Sequence, residues 1–133
     1  MLRRKGFYLL VALACAALAG GCFLLPNRPP EASFVVTYGV DPADPMLVEL
    51  DARASSDPDD DPIIEYLWTF GDDVTIVTPL EVSKLVTVPV LQIRYVTQGS
   101  YSVTLLVRDD QGNSSMPVSG TVTVPNVPVG PTQ

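Results

Sequence analysis

The chain has 133 residues, of which 15 are acidic and 8 are basic, and it contains no histidine. Three of the basic residues, Arg3, Arg4 and Lys5, stand at the extreme N-terminus, so the remainder carries five basic residues against fifteen acidic ones, a balance of −10. A surface this acidic repels phosphate backbones, which argues against nucleic acid as a partner. The missing histidine removes the usual general base and every Ser/His or Cys/His nucleophile arrangement.

The N-terminal stretch is typical of an export signal. Residues 1–5 are positively charged, residues 6–18 are an uninterrupted apolar run, and small residues 19–21 directly precede Cys22. This order of segments is that of a secretory signal peptide. With a cysteine directly after the small residues, it resembles a bacterial lipobox, which implies removal of the signal and lipidation of Cys22. The alternative is an uncleaved signal anchor, because residues 6–25 supply about 20 apolar positions, enough to cross a bilayer.

This interpretation predicts where the protein is located and how the chain is divided into segments. Phe23, rather than an aspartate, follows Cys22, which is compatible with delivery to the outer membrane; an inner-membrane signal anchor is the alternative. Neither Cys15 nor Cys22 belongs to the folded part, so an exported domain must be stable without a disulfide. The predicted segments are a signal peptide (1–21), the lipidated cysteine with a Pro-rich tether (22–30), a folded domain (31–124) and a Pro/Gly-rich tail (125–133).

After residue 30 the chain shows short alternating runs separated by turn residues. No segment longer than a turn or two has helical periodicity, and the turn clusters recur at intervals of about 8–12 residues. This pattern predicts an all-β, immunoglobulin-like antiparallel sandwich of about seven to eight strands. The predicted strands are residues 32–38, 46–51, 63–70, 74–77, 84–88, 90–95, 101–107 and 118–124.

One strand carries the predicted core. Tyr66, Trp68 and Phe70 alternate with smaller residues, so an extended backbone places the three rings on one face. Trp68 is the only tryptophan and buries roughly 150–250 Å² when it lies inside. Tyr101 begins the penultimate strand, where a tyrosine corner is expected. Together with the turn after the tryptophan strand, these residues form the predicted core signature: Trp68, Phe70, Gly71, Asp72 and Tyr101.

Three motifs in order resemble the PKD (polycystic kidney disease) domain. They are LDARASSDPDDDPI at 50–63, YLWTFGD at 66–72, and GSYSVTL at 99–105 leading to DDQG at 109–112. The family hallmark is a Trp-Asp-Phe-Gly-Asp-Gly run after an Asp-Pro-Asp-Gly-Asp loop. The chain departs from it at Thr69, which replaces the central Asp, at Asp60 and Asp73, which replace loop glycines, and in a longer segment over residues 74–93.

The resemblance implies a β-sandwich used for extracellular protein or carbohydrate contact and not itself catalytic. Together with the predicted lipobox, the resemblance predicts a lipid-anchored, extracytoplasmic binding module, held to membrane lipid through Cys22, with a protein or glycan partner. The alternative is a structural subunit of a cell-envelope assembly with no ligand of its own. An enzyme using paired carboxylates for glycoside hydrolysis is disfavoured, because the acids lie in turns and a domain of about 100 residues has little volume for a cleft.

The acidic loop raises a further hypothesis. Some PKD modules bind calcium around this loop, and Ca²⁺ takes about 6–8 oxygen ligands, which clustered carboxylates supply. The alternative is that Asp-Pro and Asp-Asp runs build turns and solvate the loop, with no cofactor. The residues that the calcium hypothesis names are Asp57, Asp59, Asp61 and Asp109.

The apolar residues within 74–90 have two interpretations. They are either a partner surface or an inward sheet face.

Overall fold

A computed structural model of the protein describes residues 26–78 and 85–125. Over these residues the fold is all-β, with eight strands in two antiparallel sheets, which confirms the predicted fold class. No helix long and apolar enough to cross a membrane occurs among them. The predicted signal segment and Cys22 lie outside the described residues. The strands are β1 (Val35–Tyr38), β2 (Leu47–Asp51), β3 (Ile63–Phe70), β4 (Val74–Thr78), β5 (Leu85–Val86), β6 (Val90–Tyr95), β7 (Gly99–Asp109) and β8 (Val118–Val124).

The strands form two four-stranded sheets. The first sheet has the order β1-β2-β6-β4, and the second has the order β5-β3-β7-β8. In the second sheet, β3 and β7 are the central pair, and Trp68 lies opposite Leu105 in their register. β5 is a two-residue edge strand beside β3.

The core lies between the two sheets and is centred on Trp68. The Trp68 side chain is fully buried, and the Phe34 ring meets it edge-on at a centroid distance of 5.3 Å. The indole N–H donates a hydrogen bond of 2.7 Å to the Val88 carbonyl, so its one polar atom is satisfied. Phe70 is buried too, whereas Tyr66 is only partly buried and packs against the edge of the core. The residues around them are Val48, Leu50, Leu91, Ile93, Val103, Leu105, Val107 and Val122.

The long middle segment supplies interior residues. Val74, Ile76 and Val88 are partly buried and pack against the core. Of the two interpretations offered by the sequence, the inward sheet face therefore holds for these three side chains. β4 joins the first sheet and β5 the second.

The N-terminal segment before β1 does not form a regular strand. Strand β1 begins at Val35, three residues later than the alternation predicts. Ahead of it, Glu31 and Ser56 exchange two backbone hydrogen bonds of 2.7 and 3.1 Å. The Ser55 hydroxyl both accepts from the Ser33 N–H and donates to its carbonyl. These bonds direct the segment onto the loop after β2 instead of extending the β1–β2 ladder.

Phe34, directly before β1, and Tyr38, in β1, close one side of the sandwich against β8. A Cβ atom on Gly120 would lie 2.8 Å from the Phe34 ring, closer than non-bonded carbons approach, so the ring packs directly on the β8 backbone. The Tyr38 hydroxyl accepts a hydrogen bond of 3.2 Å from the Thr123 N–H. These two side chains thereby cover part of β8, an edge strand of the second sheet.

Two tyrosines stack at the end of the sandwich where β6 turns into β7. The Tyr95 and Tyr101 rings lie 4.1 Å apart and nearly parallel. The Tyr101 hydroxyl donates to the Thr97 carbonyl at 2.7 Å and so ties down the turn. The Tyr95 hydroxyl is buried without a hydrogen-bond partner among the described residues. Burial, and secondarily the neighbouring tyrosines, raises the pKa of Tyr95 to about 12.

Replacing Trp68 by alanine tests the core directly. We expect Trp68→Ala to lower the free energy of unfolding by about 3–5 kcal/mol, the usual cost of removing a fully buried aromatic ring. Ile64→Ala is the control, because Ile64 is 57% exposed and such surface changes fall within about 0.5 kcal/mol. Urea denaturation followed by far-UV circular dichroism measures both. Equal midpoints for the two variants would contradict the assigned core.

The two tyrosines give a matched pair of hydroxyl deletions. Tyr95→Phe removes a buried hydroxyl that has no described partner, so we expect stability to be unchanged or higher. Tyr101→Phe removes the bond to Thr97, so we expect a loss of about 1 kcal/mol. Thermal unfolding of both variants at neutral pH measures the difference. The opposite ranking would show that the Tyr95 hydroxyl is the one with a stabilising partner.

Candidate functional site

The predicted acidic residues gather at one end of the sandwich. The loop between β2 and β3 and the turn after β7 meet there, because Ile63 lies opposite Asp109 in the β3–β7 register. The Asp110 N–H donates a hydrogen bond of 3.1 Å to the Pro62 carbonyl and joins loop and turn. We call this end the acidic pole: Asp57, Asp59, Asp60, Asp61, Asp109 and Asp110.

Asp57 organises the loop from within. One of its carboxylate oxygens accepts hydrogen bonds from the Asp59 N–H at 2.7 Å and the Asp61 N–H at 3.4 Å. Its other oxygen is buried and has no hydrogen-bond partner among the described residues. Asp60 has a φ of 62°, the left-handed region, at a position where the family has glycine. Aspartate tolerates this conformation better than most residues, so the loop keeps its turn with a charged side chain.

Arg28 binds this loop from the predicted tether. Its guanidinium contacts one Asp59 oxygen at 2.6 and 2.9 Å and donates to the Pro58 carbonyl at 2.5 Å. The Arg28 backbone N–H donates to the second Asp59 oxygen at 2.7 Å. These donors, the side-chain hydrogen bond foremost, lower the pKa of Asp59. A planar guanidinium with several fixed donors holds a carboxylate in one orientation better than lysine does.

The Asp109 carboxylate also accepts several hydrogen bonds. It has no exposed surface, and burial alone would raise its pKa. The Asn113 backbone and side-chain amides donate to it at 2.7 and 3.1 Å, and the Asn27 amide donates at 3.0 Å. These hydrogen bonds outweigh burial, so the pKa of Asp109 lies below its ordinary value and the carboxylate stays ionised. We call Asn27 and Arg28 the N-terminal clamp.

Sequence reasoning assigned the clamp residues to a spacer and missed their contacts. The signal available was weak: Arg28 is a single basic residue among prolines in an acidic chain. Its partner Asp59 lies 31 positions away, and no local spacing rule connects the two. All four arginines in residues 26–78 and 85–125 are ion-paired, the other three with Asp51, Asp44 and Glu65.

Asp61 is the acidic residue of the pole whose charged form the surroundings disfavour. Burial raises its pKa, and the charges of Asp110, Asp57, Asp109 and Asp59 raise it further, in that order. It lines two shallow depressions on the pole, of about 280 and 240 Å³. The pole therefore concentrates negative charge that the clamp neutralises only in part.

The carboxylates do not form a calcium-coordinating set in this arrangement. No group of three or more acidic or cysteine side chains in the described part of the chain is placed to hold a metal ion. Two of the four predicted ligands, Asp59 and Asp109, already accept hydrogen bonds from the clamp. Calcium binding at Asp57, Asp59, Asp61 and Asp109 stays a prediction, and it requires Arg28 to leave Asp59.

The remaining predicted residues lie in the core and its adjoining turn. Trp68 and Phe70 fill the space between the sheets, and Tyr101 holds the turn before β7. Gly71 and Asp72 form the exposed turn that ends β3. These residues determine the shape of the sandwich and do not meet at a reactive centre.

Residues 27–124 match the family model described as the PKD domain. The chain belongs to the PKD-domain family. The matched region begins at Asn27, the first residue of the clamp, so the clamp is part of the PKD domain as the family defines it.

Solved PKD domains share this fold. The PKD1 domain of the Vibrio cholerae metalloprotease PrtV is 31% identical, with a TM-score of 0.55, covering 73% of this chain and 98% of that one. The PKD1 domain of Vibrio anguillarum Epp is 24% identical, with a TM-score of 0.57, covering 74% and 96%. A comparison with curated protein sequences gives no match.

A third similar structure comes from work on binding modules. It is described as showing the promiscuous specificity of carbohydrate-binding modules from the β-sandwich superfamily. It is 31% identical with a TM-score of 0.55, and the match covers 74% of this chain but 35% of that one. One neighbour is thus a PKD domain of a metalloprotease, and another is described by its carbohydrate-binding modules.

Neutralising Asp61 tests the electrostatics of the pole. We expect Asp61→Asn to raise the Tm at pH 7, because it removes a carboxylate whose charged form the fold disfavours. Since the pKa is raised on folding, the wild type gains relative stability as pH falls through the folded-state value. The benefit of the substitution should therefore disappear below about pH 3.9, where the residue is protonated in both states.

Asp41→Asn is the matched control for this experiment. It removes the same charge from the loop between β1 and β2, at the other end of the strands. Asparagine can still accept the Ala43 N–H that Asp41 accepts. Equal Tm shifts for the two variants at pH 7, or a gain from Asp61→Asn that persists at low pH, would contradict local repulsion at the pole.

Proposed function

We propose that this protein is a lipid-anchored, extracytoplasmic PKD module that binds a protein or glycan partner and has no catalytic activity of its own. The observation that carries the proposal is the PKD sandwich over residues 27–124, with its interior filled around Trp68. A filled interior leaves the outer sheet faces and the loops as the contact surfaces. The carbohydrate-binding context of one structural neighbour supports a glycan as one class of partner.

The anchoring part of the proposal rests on Cys22 and the length of chain after it. The clamp fixes Asn27 to the acidic pole, and four residues separate Asn27 from Cys22. Four residues span about 13 Å when extended. An acylated Cys22 would therefore hold the acidic pole close to the lipid surface. Phe23 after the lipidated cysteine favours the outer membrane as the site of anchoring.

Acyl labelling in a double-membraned bacterial host tests the anchor. We expect the wild type to incorporate a labelled fatty acid and to stay with membranes after a high-salt wash. Cys22→Ser should abolish both properties, whereas Cys15→Ser, a matched change within the leader, should preserve them. Labelling that survives Cys22→Ser, or a wild type that washes off membranes, would contradict the proposed anchor.

Affinity purification of the tagged full chain from envelope extracts tests the binding role. We expect recovery of a protein or a polysaccharide that is displaced by competing ligand. Recovery of one fixed assembly in constant stoichiometry, without exchange, would instead assign the chain to a structural subunit. Hydrolytic turnover that is lost on Asp59→Ala would contradict the non-catalytic assignment.

A further inference from the structure

The outer surface of the second sheet carries an array of hydroxyl groups. Along β7 and β8 the inward positions are buried apolar residues such as Val103, Leu105 and Val122, so the alternate positions face outward. Over residues 100–104 of β7 and 119–123 of β8 these outward positions are serine and threonine, and β3 adds one more. We call this surface the hydroxyl face: Thr69, Ser100, Ser102, Thr104, Ser119, Thr121 and Thr123.

The hydroxyl groups are arranged in register. Ser100 lies opposite Thr123, Ser102 opposite Thr121, and Thr104 between Thr69 and Ser119. Two of these pairs are hydrogen-bonded at 2.9 Å, Ser100 to Thr123 and Thr104 to Ser119. Strand geometry spaces such groups by about 4.8 Å across the sheet and about 6.7 Å along it, over an area of roughly 13 by 10 Å. Cross-strand bonding restricts the side chains before any ligand arrives, which reduces the entropy cost of binding.

This face carries no ionisable group, which sets it apart from the rest of an acidic chain. The nearest charges along its strands are Glu65 and Arg108, which lie opposite each other and form an ion pair of 3.0 Å. The apolar pair Leu67 and Leu106 separates them from the hydroxyl groups. The outer face of the first sheet, by contrast, carries outward charges, Glu49 among them.

We propose that the hydroxyl face is the surface through which this module docks on an uncharged polysaccharide. The inference deepens the proposed binding function and rests on it. Hydroxyl groups both donate and accept hydrogen bonds, so the complementary ligand presents many groups that do the same, which is the chemistry of a sugar chain. The neutral face offers no counter-charge to an anionic polymer, and the acidic remainder of the chain repels one. Leu67 and Leu106 give the C–H faces of the sugar rings an apolar contact.

The position of the face agrees with this role. β7 runs from Gly99, at the far end, to Asp109 at the acidic pole. If the pole is held near lipid, the hydroxyl face stands on the side of the sandwich, clear of the membrane surface. A polymer lying beside the membrane can then reach it without contact with the anchor.

The experiment must separate ligand binding from sheet stability, because threonine also favours strand formation. The variant Thr104→Val/Thr121→Val/Thr123→Val removes three hydroxyls and keeps β-branched side chains of similar shape. Thr37→Val/Thr75→Val/Thr78→Val makes the same change at three exposed strand positions of the first sheet. The Tm of both variants, and their size in solution by light scattering, are measured first.

Binding is then measured by co-sedimentation of the full chain, purified in detergent, with insoluble cellulose, chitin and curdlan. We expect the wild type to sediment with at least one of them and the control variant to match it within about twofold. The hydroxyl-face variant should bind at least about tenfold more weakly, the effect of losing one or two net hydrogen bonds.

Three results would overturn the inference. The wild type sediments with none of the three polymers, in which case the acylation and affinity experiments still judge the proposed function separately. The wild type sediments but the hydroxyl-face variant binds equally well, which keeps glycan binding and moves it to another surface. The hydroxyl-face variant converts a dimer into a monomer, which assigns the face to a second copy of this chain.

Discussion

The Trp68 indole is the contact on which the sandwich depends, because no cysteine lies in residues 26–125 and no disulfide can join the described sheets. The ring belongs to β3 of the second sheet, meets Phe34 from the segment before β1, and donates its N–H to Val88 just before β6. One side chain thus connects both sheets and the connection that crosses between them. A fully buried aromatic group makes the largest single apolar contribution available to a domain of this size. Its hydrogen bond to Val88 also avoids leaving a buried donor unpaired.

A filled interior determines where recognition can occur. Small-molecule sites are normally concave and enclosed, whereas the depressions at the acidic pole are shallow. Contact with other molecules is therefore expected on the outer surface of the sandwich, whose parts differ in chemistry. The pole concentrates carboxylates, the outer face of the first sheet carries charged side chains, and the hydroxyl face carries none. A single acidic module thus presents one surface suited to a neutral partner and others that repel anionic ones.

Period-two alternation made most of the fold predictable from the sequence. Val103, Leu105 and Val107 alternate with polar residues, and the structure buries them as that pattern requires. The proximity of Asp61 and Asp109 follows from antiparallel pairing of the two strands that flank them. The Arg28–Asp59 pair was not predictable, because it joins residues 31 positions apart through an irregular segment. The cross-strand pairing of the hydroxyl groups was not predictable either, because it depends on the β7–β8 register and not on either strand alone.

The clamp and the hydroxyl face have a common consequence if the module is anchored through Cys22 as proposed. An exposed ion pair contributes little to global stability, because solvent screens it and both side chains lose freedom. Under the proposed anchoring, the contacts of Asn27 and Arg28 with the pole would shorten the distance between Cys22 and the sandwich and limit the orientations open to the sandwich. In that arrangement the acidic pole would face the membrane and the hydroxyl face would stand to one side. The proposed hydrogen bonds to a polysaccharide in the same compartment would then act at high effective concentration. In this proposal, restricted orientation would compensate for the low affinity that an uncharged, aromatic-free surface is expected to have.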